Sequence, residues 1–202
     1  VNTASRLESA CKNLKLKLGF IGSSNPINTS GLIEYIEELN KLKPKNIELI
    51  IAGLISDKIS HNYKWIKKLG KVTDKGLEDF YNSVNVIINP MPKETTGLKI
   101  KTIESLLNDV PIIGTVDAFT GINSKSIWHN LESIKELASQ TIYLSDNLKN
   151  VSKIERDCKN VKNEFIAESN NEIEDFYNCL NSRSFKKNKN MQKNNESFYK
   201  IR

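Results

Sequence analysis

TTGLKIKTIESLLNDVPIIGT, Thr95 to Thr115, reads as a loop, a helix and a strand in that order. Gly97 permits a close approach to the helix start. Ile100, Ile103, Leu106 and Leu107 recur at helical spacing and predict one buried stripe. Asn108 and Asp109 end the helix, and Val110 to Thr115 is a short apolar run suited to a strand covered on both faces. The charge at the helix start is unusual. Lys99 and Lys101 fall in the first turn, where the macrodipole disfavours cations and a purely structural helix carries Asp or Glu. Backbone N–H groups together with lysines at a helix N-terminus make a site for an anion such as a diphosphate. Glu104, less than two turns further on, adds a carboxylate that can accept hydrogen bonds from sugar hydroxyls. The plainer alternative is that the lysines are background in a lysine-rich chain and that Glu104 belongs to a solvated face.

The 202 residues are 38% hydrophobic, enough for one substantial domain with its own core. The formal net charge of +6 suggests nucleic acid until it is located. Residues 183–202 hold seven basic side chains and one acid, leaving 23 basic and 23 acidic side chains in residues 1–182. The charge therefore belongs to a tail and not to folded elements, which argues against nucleic acid as a partner. Cys11, Cys158 and Cys179 are odd in number and widely spaced, as expected of buried thiols in a reducing compartment. With only His61 and His129, a His-rich metal site is disfavoured, no metal ligand is assigned, and a Ser-His-Asp hydrolase has few candidate bases. No apolar run reaches membrane-spanning length. The chain begins at Val1, as a cut piece of a longer protein would.

Working outward from the opening segment, five further strands are expected. KLKLGFIG (Lys15 to Gly22) and IELIIAG (Ile47 to Gly53) read as buried strands, with SSNPINTS (Ser23 to Ser30) as the loop between the first strand and a helix through Leu32, Ile33, Ile36 and Leu39. Ile66 to Val72 predicts a short strand. Thr73 or Asp74 then caps a helix with Leu77, Phe80, Tyr81 and Val84 inward. NVIINP (Asn85 to Pro90) is a strand ending in a Pro turn. A helix from about Ile127 to Ala138 and a strand at TIYL (Thr141 to Leu144) follow, and Ser152 to Leu180 carries one or two amphipathic helices with a break at Asn170-Asn171. Strands alternating with helices require right-handed crossovers and a parallel sheet covered on both faces. The expected fold class is α/β, a Rossmann-like three-layer sandwich with a six-stranded parallel sheet. Residues 1–13 are a linker or lead-in helix, 14–182 the domain, and 183–202 a basic, disordered tail. A G-x-G-x-x-G fingerprint is absent after the first strand, where Gly22-Ser23-Ser24-Asn25 stands, so an NAD or FAD domain is disfavoured.

The opening segment resembles the donor-binding segment of GT-B glycosyltransferases of the large retaining family 4. The matching residues are Gly97, Lys99, Lys101, Glu104, Ser105, Pro111, Ile112, Ile113, Gly114, Thr115 and Gly121. LGFIGSSNPINTSGLIEYI is similar to that family's opening strand, loop and helix, and LGKVTDKGLEDFYNSVNVIINP to its G-x-V-x-D…Y-x-x-x-x-V-x-I-x-P segment. The resemblance covers about Leu14 to Leu180 and implies the C-terminal, nucleotide-sugar-binding half of a GT-B fold. It implies that Gly22 and Ser23 approach the donor diphosphate, that the backbone at Lys71 and Val72 meets the nucleobase, that N–H groups at Leu98, Lys99 and Ile100 hold the diphosphate, and that Glu104 binds the ribose. Thr96 stands where many members carry the first carboxylate of a Glu-x7-Glu pair, with Glu94 two residues early. Ser23, Ser24 and Asn25 replace an Arg and Lys pair found after the first strand in many members.

The resemblance further implies a hexosyl transfer from a nucleotide-diphosphate sugar to a glycan, lipid-linked or other acceptor. No cofactor or metal is expected beyond the donor itself. The acceptor domain would precede Val1, so this piece alone is expected to be inactive, and no catalytic residue is assigned. Two alternatives stay open: a non-catalytic nucleotide-sugar-binding or scaffold module with the same fold, and a UDP-sugar epimerase-like relative. The tail, Lys/Asn-rich with Phe185, Phe198 and Tyr199 interleaved, reads as solvated or, alternatively, as a contact with an anionic membrane surface. The corresponding location is cytoplasmic, either free or at the inner face of a membrane.

Overall fold

The computed structural model describes residues 4–13, 15–94 and 99–198; of residues 4, 5, 9, 12, 13 and 179–198 only the backbone is described. Two compact units divide the chain, residues 1–162 and 163–202.

The first unit is a five-stranded parallel sheet. Its strands are β1 (Leu16–Ile21), β2 (Ile47–Ala52), β3 (Ile66–Gly70), β4 (Val86–Asn89) and β5 (Ile112–Gly114), in the order β3-β2-β1-β4-β5. β1 and β2 run in register from Leu16↔Ile47 to Ile21↔Ala52, and β4 joins β1 at Leu18↔Val86. The helices are α1 (Ala4–Asn13), α2 (Pro26–Lys41), α3 (Asp74–Ser83), α4 (Ile100–Leu107), α5 (Ile134–Asp146) and α6 (Asn150–Phe198). Strands β1, β4 and β5 carry the fully buried Leu16, Leu18, Val86, Ile87, Ile88, Ile112 and Ile113, as a sheet covered on both faces requires. α2 and α5 pack together on one face, where Tyr35 Oη and Thr141 Oγ1 share a hydrogen bond of 3.0 Å. The right-handed crossover rule puts α3 and α4 on the other. Edge strand β3 carries exposed Lys67 and half-buried Lys68, charges that discourage edge pairing.

The sixth strand expected at Thr141 to Leu144 is instead the C-terminal half of α5. Ser133 caps that helix by accepting the N–H of Glu136, and Ile134, Leu137, Ala138, Thr141, Leu144 and Ser145 are buried at helical period. A four-residue apolar run does not distinguish strand from helix by itself. The helix expected from about Ile127 is a single 3-10 turn, Ile127–His129, after which Leu131 pairs in parallel with Thr115 beside the end of β5. The predicted stripe on α4 also differs. Ile100 and Leu107 are 59% and 51% exposed, and the buried face is Thr102, Ser105 and Leu106. Hydroxyl side chains let this helix lie close to the strands: Thr102 donates to the Ala118 carbonyl at 2.6 Å and Ser105 to that of Val110 at 3.1 Å.

The lead-in residues form α1. Arg6 is buried and donates to the carbonyls of Tyr81 (2.8 Å) and Val84 (2.6 Å), capping the C-terminus of α3. Of the cysteines, Cys158 is buried as expected, but Cys11 lies exposed on α1. In the second unit the backbone is helical through Asn170 and Asn171, where a break was expected. Asn costs a helix interior little more than most residues; only Gly and Pro interrupt it strongly.

Candidate functional site

The strand order sets where a ligand can lie. From β1 the chain moves one way to β2 and β3, then returns to the other side of β1 to lay down β4 and β5. The connections leaving the carboxyl ends of β1 and β4 therefore diverge and open a crevice, the usual ligand position in such sheets. A cavity of about 340 Å3 occupies it, lined by Ile21, Gly22, Ser23, Asn25, Ile27, Asn28, Asn89, Met91, Lys99, Ile100, Lys101 and Glu104.

Two helix N-termini meet there. α2 begins earlier than expected: Asn25 is its N-cap, accepting the Asn28 N–H at 2.8 Å, and Pro26 takes the first helical position, so half of the anticipated loop is the first turn of the helix. α4 begins at Ile100 with Lys99 as N-cap and no side-chain cap hydrogen bond. Each brings the positive end of its dipole to the cavity. Gly31 of α2 packs against the Pro90 carbonyl, which draws the start of α2 close to the end of β4. Thr115, after β5, donates to the Met91 carbonyl at 2.8 Å and fixes the loop beyond β4.

Lys101 supplies a cation to the cavity. Its ammonium lies 3.7 Å from the centroid of the Phe20 ring and 3.4 Å from each of Asn28 Oδ1 and Asn89 Oδ1. Burial pushes its pKa down to about 7, against a smaller upward pull from Glu104. Lys99 is buried at the helix start, whereas Glu104 is exposed at the rim. The ammonium is thus held with little neutralisation in a crevice that already favours anions, an arrangement fitted to a phosphate-bearing ligand.

Of the residues singled out from the sequence, Gly22, Ser23, Lys99, Ile100 and Glu104 come together in this cavity. Lys71 and Val72 follow β3, two strands from β1, and are not among its lining residues. Thr96, Gly97 and Leu98 lie outside the described residues. A backbone shelf connects the cavity to Lys71: the Gly22 carbonyl accepts the N–H of Ile55 (3.3 Å), and the Gly53 N–H donates to the Gly70 carbonyl at 2.7 Å. Gly53, at φ 89°, is required twice over, since a Cβ there would stand 2.4 Å from the Gly22 oxygen. Sequence reading missed Asn25, Asn28 and Asn89. The Asn-Pro pair at 25–26 was a legible helix start, but Asn28 and Asn89 carry no pattern.

Among the described residues, no group of three or more His, Cys, Asp or Glu is placed to hold a metal ion, and no helix is long and apolar enough to cross a membrane.

The profile of the family described as Glycosyl transferases group 1 matches residues 15–147. No curated protein matches the chain. Among solved structures, a mutant of S. aureus TarM in complex with Fondaparinux, alpha-GlcNAc-glycerol and UDP is similar at 15% identity and TM-score 0.56, over 78% of this chain and 35% of that one. Anabaena HepE in complex with UDP and glucose is similar at 14% identity and TM-score 0.56, over 82% and 51%. The C-terminal domain of the glycosyl transferase group 1 family protein LpcC from Francisella tularensis is similar at 13% and TM-score 0.55, over 79% and 90%. These likenesses are of fold. The chain spans about a third to a half of TarM and HepE and nearly all of the isolated LpcC domain.

Proposed function

Because the chain belongs to the glycosyl transferases group 1 family, we propose that it is the donor-binding half of a retaining glycosyltransferase that takes its sugar from a nucleoside diphosphate. The observation that carries this reading is the convergence of the α2 and α4 N-termini and Lys101 on one cavity at the switch point of the sheet. In this reading the diphosphate lies between Ser23 and Lys101, and the nucleoside extends along the Gly22–Gly53–Gly70 shelf toward Lys71 and Val72. Strands about 4.8 Å apart put β3 roughly 10 Å from β1, a span suited to the distance from diphosphate to base. Glu104 takes the ribose hydroxyls. UDP in the HepE and TarM complexes makes a uridine nucleotide the first to try.

The acceptor in this reading is a glycan or lipid-linked sugar bound on a second domain. Differential stabilisation of the transition state needs donor and acceptor held together away from water, so residues 1–202 alone should hydrolyse a nucleotide sugar slowly at most. Calorimetry with UDP, GDP and ADP tests the donor site. At least one should bind, and Lys101→Met should weaken it by about tenfold or more, the equivalent of one charge-assisted hydrogen bond. No binding of any of the three, or equal affinity in the variant, sinks the reading.

A further inference from the structure

Lys101 is held by two amides and an aromatic ring, with no carboxylate among these three contacts. Asn28 and Asn89 each present an oxygen at 3.4 Å, and Phe20 presents its ring face. An amide can turn either end to a neighbour, so something must set which end faces the ammonium. For Asn89, which is 1% exposed, Thr102 does so. The Thr102 hydroxyl lies 2.6 Å from the Ala118 carbonyl, to which it can only donate. Its lone pair must then accept from Asn89 Nδ2, 3.0 Å away, which leaves Asn89 Oδ1 toward Lys101. Asn28 is oriented from the other side, its Nδ2 donating to the Ser23 carbonyl at 3.2 Å.

We propose that Asn89 is a positioning residue of the donor site, a neutral acceptor locked by Thr102 that aims the Lys101 ammonium at the diphosphate without cancelling its charge. A carboxylate at this position would hold the ammonium at least as firmly. It would also form an internal ion pair, and an incoming diphosphate would have to compete with it. The groups facing Lys101 from β1, β4 and α2 are Phe20, Asn89 and Asn28, none of them charged; Glu104 on its own helix and Lys99 at the helix start are the charged neighbours lining the same cavity. The inference rests on the donor-site reading for its ligand, although the geometry stands without it.

The test follows the titration of Lys101 itself. In the 13C-labelled chain without ligand, the Lys101 Cε signal is identified by its loss in Lys101→Met and followed against pH. Asn89→Asp, nearly isosteric, should raise the midpoint by about 1–3 pH units, the effect of an opposite charge at this range. Thr102→Val, which frees the amide to turn its NH2 toward the ammonium, should lower it. The two shifts are opposite, so either variant alone decides the matter if the other does not fold. Unmoved midpoints overturn the proposal. A second arm measures UDP affinity from about pH 6 to 9. Asn89→Asp should weaken UDP about tenfold or more at low pH and carry the remaining binding to higher pH; a loss of affinity with the pH midpoint unmoved would mark a merely structural asparagine and overturns the proposal. If UDP binds to nothing while the Lys101 midpoints shift as expected, the positioning of Lys101 stands and the donor reading fails.

Discussion

Gly31 of α2 and Pro90 at the end of β4 are in contact through bare backbone: a Cβ at position 31 would stand 2.1 Å from the Pro90 carbonyl oxygen. That approach is what allows Asn28, about one turn earlier on α2, to reach Lys101 on α4. Gly31→Ala must push helix and strand end apart. Overpacking of this kind costs about 1–3 kcal/mol, and in a domain of this size each kcal/mol lowers the melting temperature by about 2–4 °C. Thermal unfolding should show the loss, and UDP affinity should fall with it. An alanine variant as stable as the parent would mean that α2 slides freely and that Gly31 is not the spacer.

The buried ammonium of Lys101 should leave its mark on stability against pH. Its folded pKa is about 7 and its ordinary value 10.5. Between these the unfolded chain binds the proton and the folded domain does not, so stability rises with pH across that window, by at most about 1.4 kcal/mol per pH unit. Below the window both states are charged and the penalty is fully present. Lys101→Met should flatten the rise in urea-unfolding free energy between about pH 7 and pH 10. The slope is the readout, because methionine also leaves the Asn28 and Asn89 oxygens without a donor and so changes the absolute stability in the other direction. Identical slopes in parent and variant would show that the ammonium is better solvated than its neighbours suggest.

How far these features were legible depends on whether they repeat. The apolar runs of β1, β2, β4 and β5 span several residues each, and a sheet covered on both faces leaves few other uses for them. Lys99 and Lys101 stood out because cations in the first turn of a helix oppose its dipole, and Glu104 because it puts a carboxylate less than two turns further on. The sixth strand failed for the opposite reason: TIYL is short enough to fit either period, and the Ser133 cap upstream and the burial of Leu137, Thr141 and Leu144 at helical period choose helix. The inward face of α4 was misread because its buried positions are Thr102 and Ser105, polar by type and admitted to the interior by hydrogen bonds to Ala118 and Val110. Asn28 and Asn89 were invisible, since each is a single amide that becomes significant only when three elements bring it to one lysine.

His129, which does not line the cavity, gives the domain a second pH-sensitive point. The ring is fully buried, stacked on Phe119 at 4.2 Å, with Ser124 Oγ 2.6 Å from Nδ1 and Cys158 Sγ 3.4 Å from Nε2. Burial pushes its pKa down to about 4 from 6.5, against upward pulls from Asp157 and Ile112. The unfolded chain therefore takes up a proton first as pH falls, and stability present above about pH 6.5 drains away toward pH 4. His129→Gln cannot take up that proton, so its urea-unfolding free energy should fall less between those limits. Equal acid sensitivity in parent and variant would place the acid-labile group elsewhere.

Glu104 separates a nucleoside site from a mere anion site. It is exposed at the rim of the cavity and no part of the core, and in the donor-site reading it accepts hydrogen bonds from the ribose hydroxyls. Glu104→Gln keeps the shape and removes the charge, which also withdraws the upward pull on Lys101. The comparison is therefore repeated in the Lys101→Met background, where that pull has no lysine to act on. UDP should then weaken by about tenfold, the scale of one hydrogen bond to a charged group, while inorganic pyrophosphate, which has no ribose, should hold its affinity or gain slightly from the lost carboxylate. The two ligands measured side by side by calorimetry settle the role. Equal losses for both would assign Glu104 to the anion site through Lys101, and the ribose would have to be held from elsewhere on the Gly22–Gly53–Gly70 shelf.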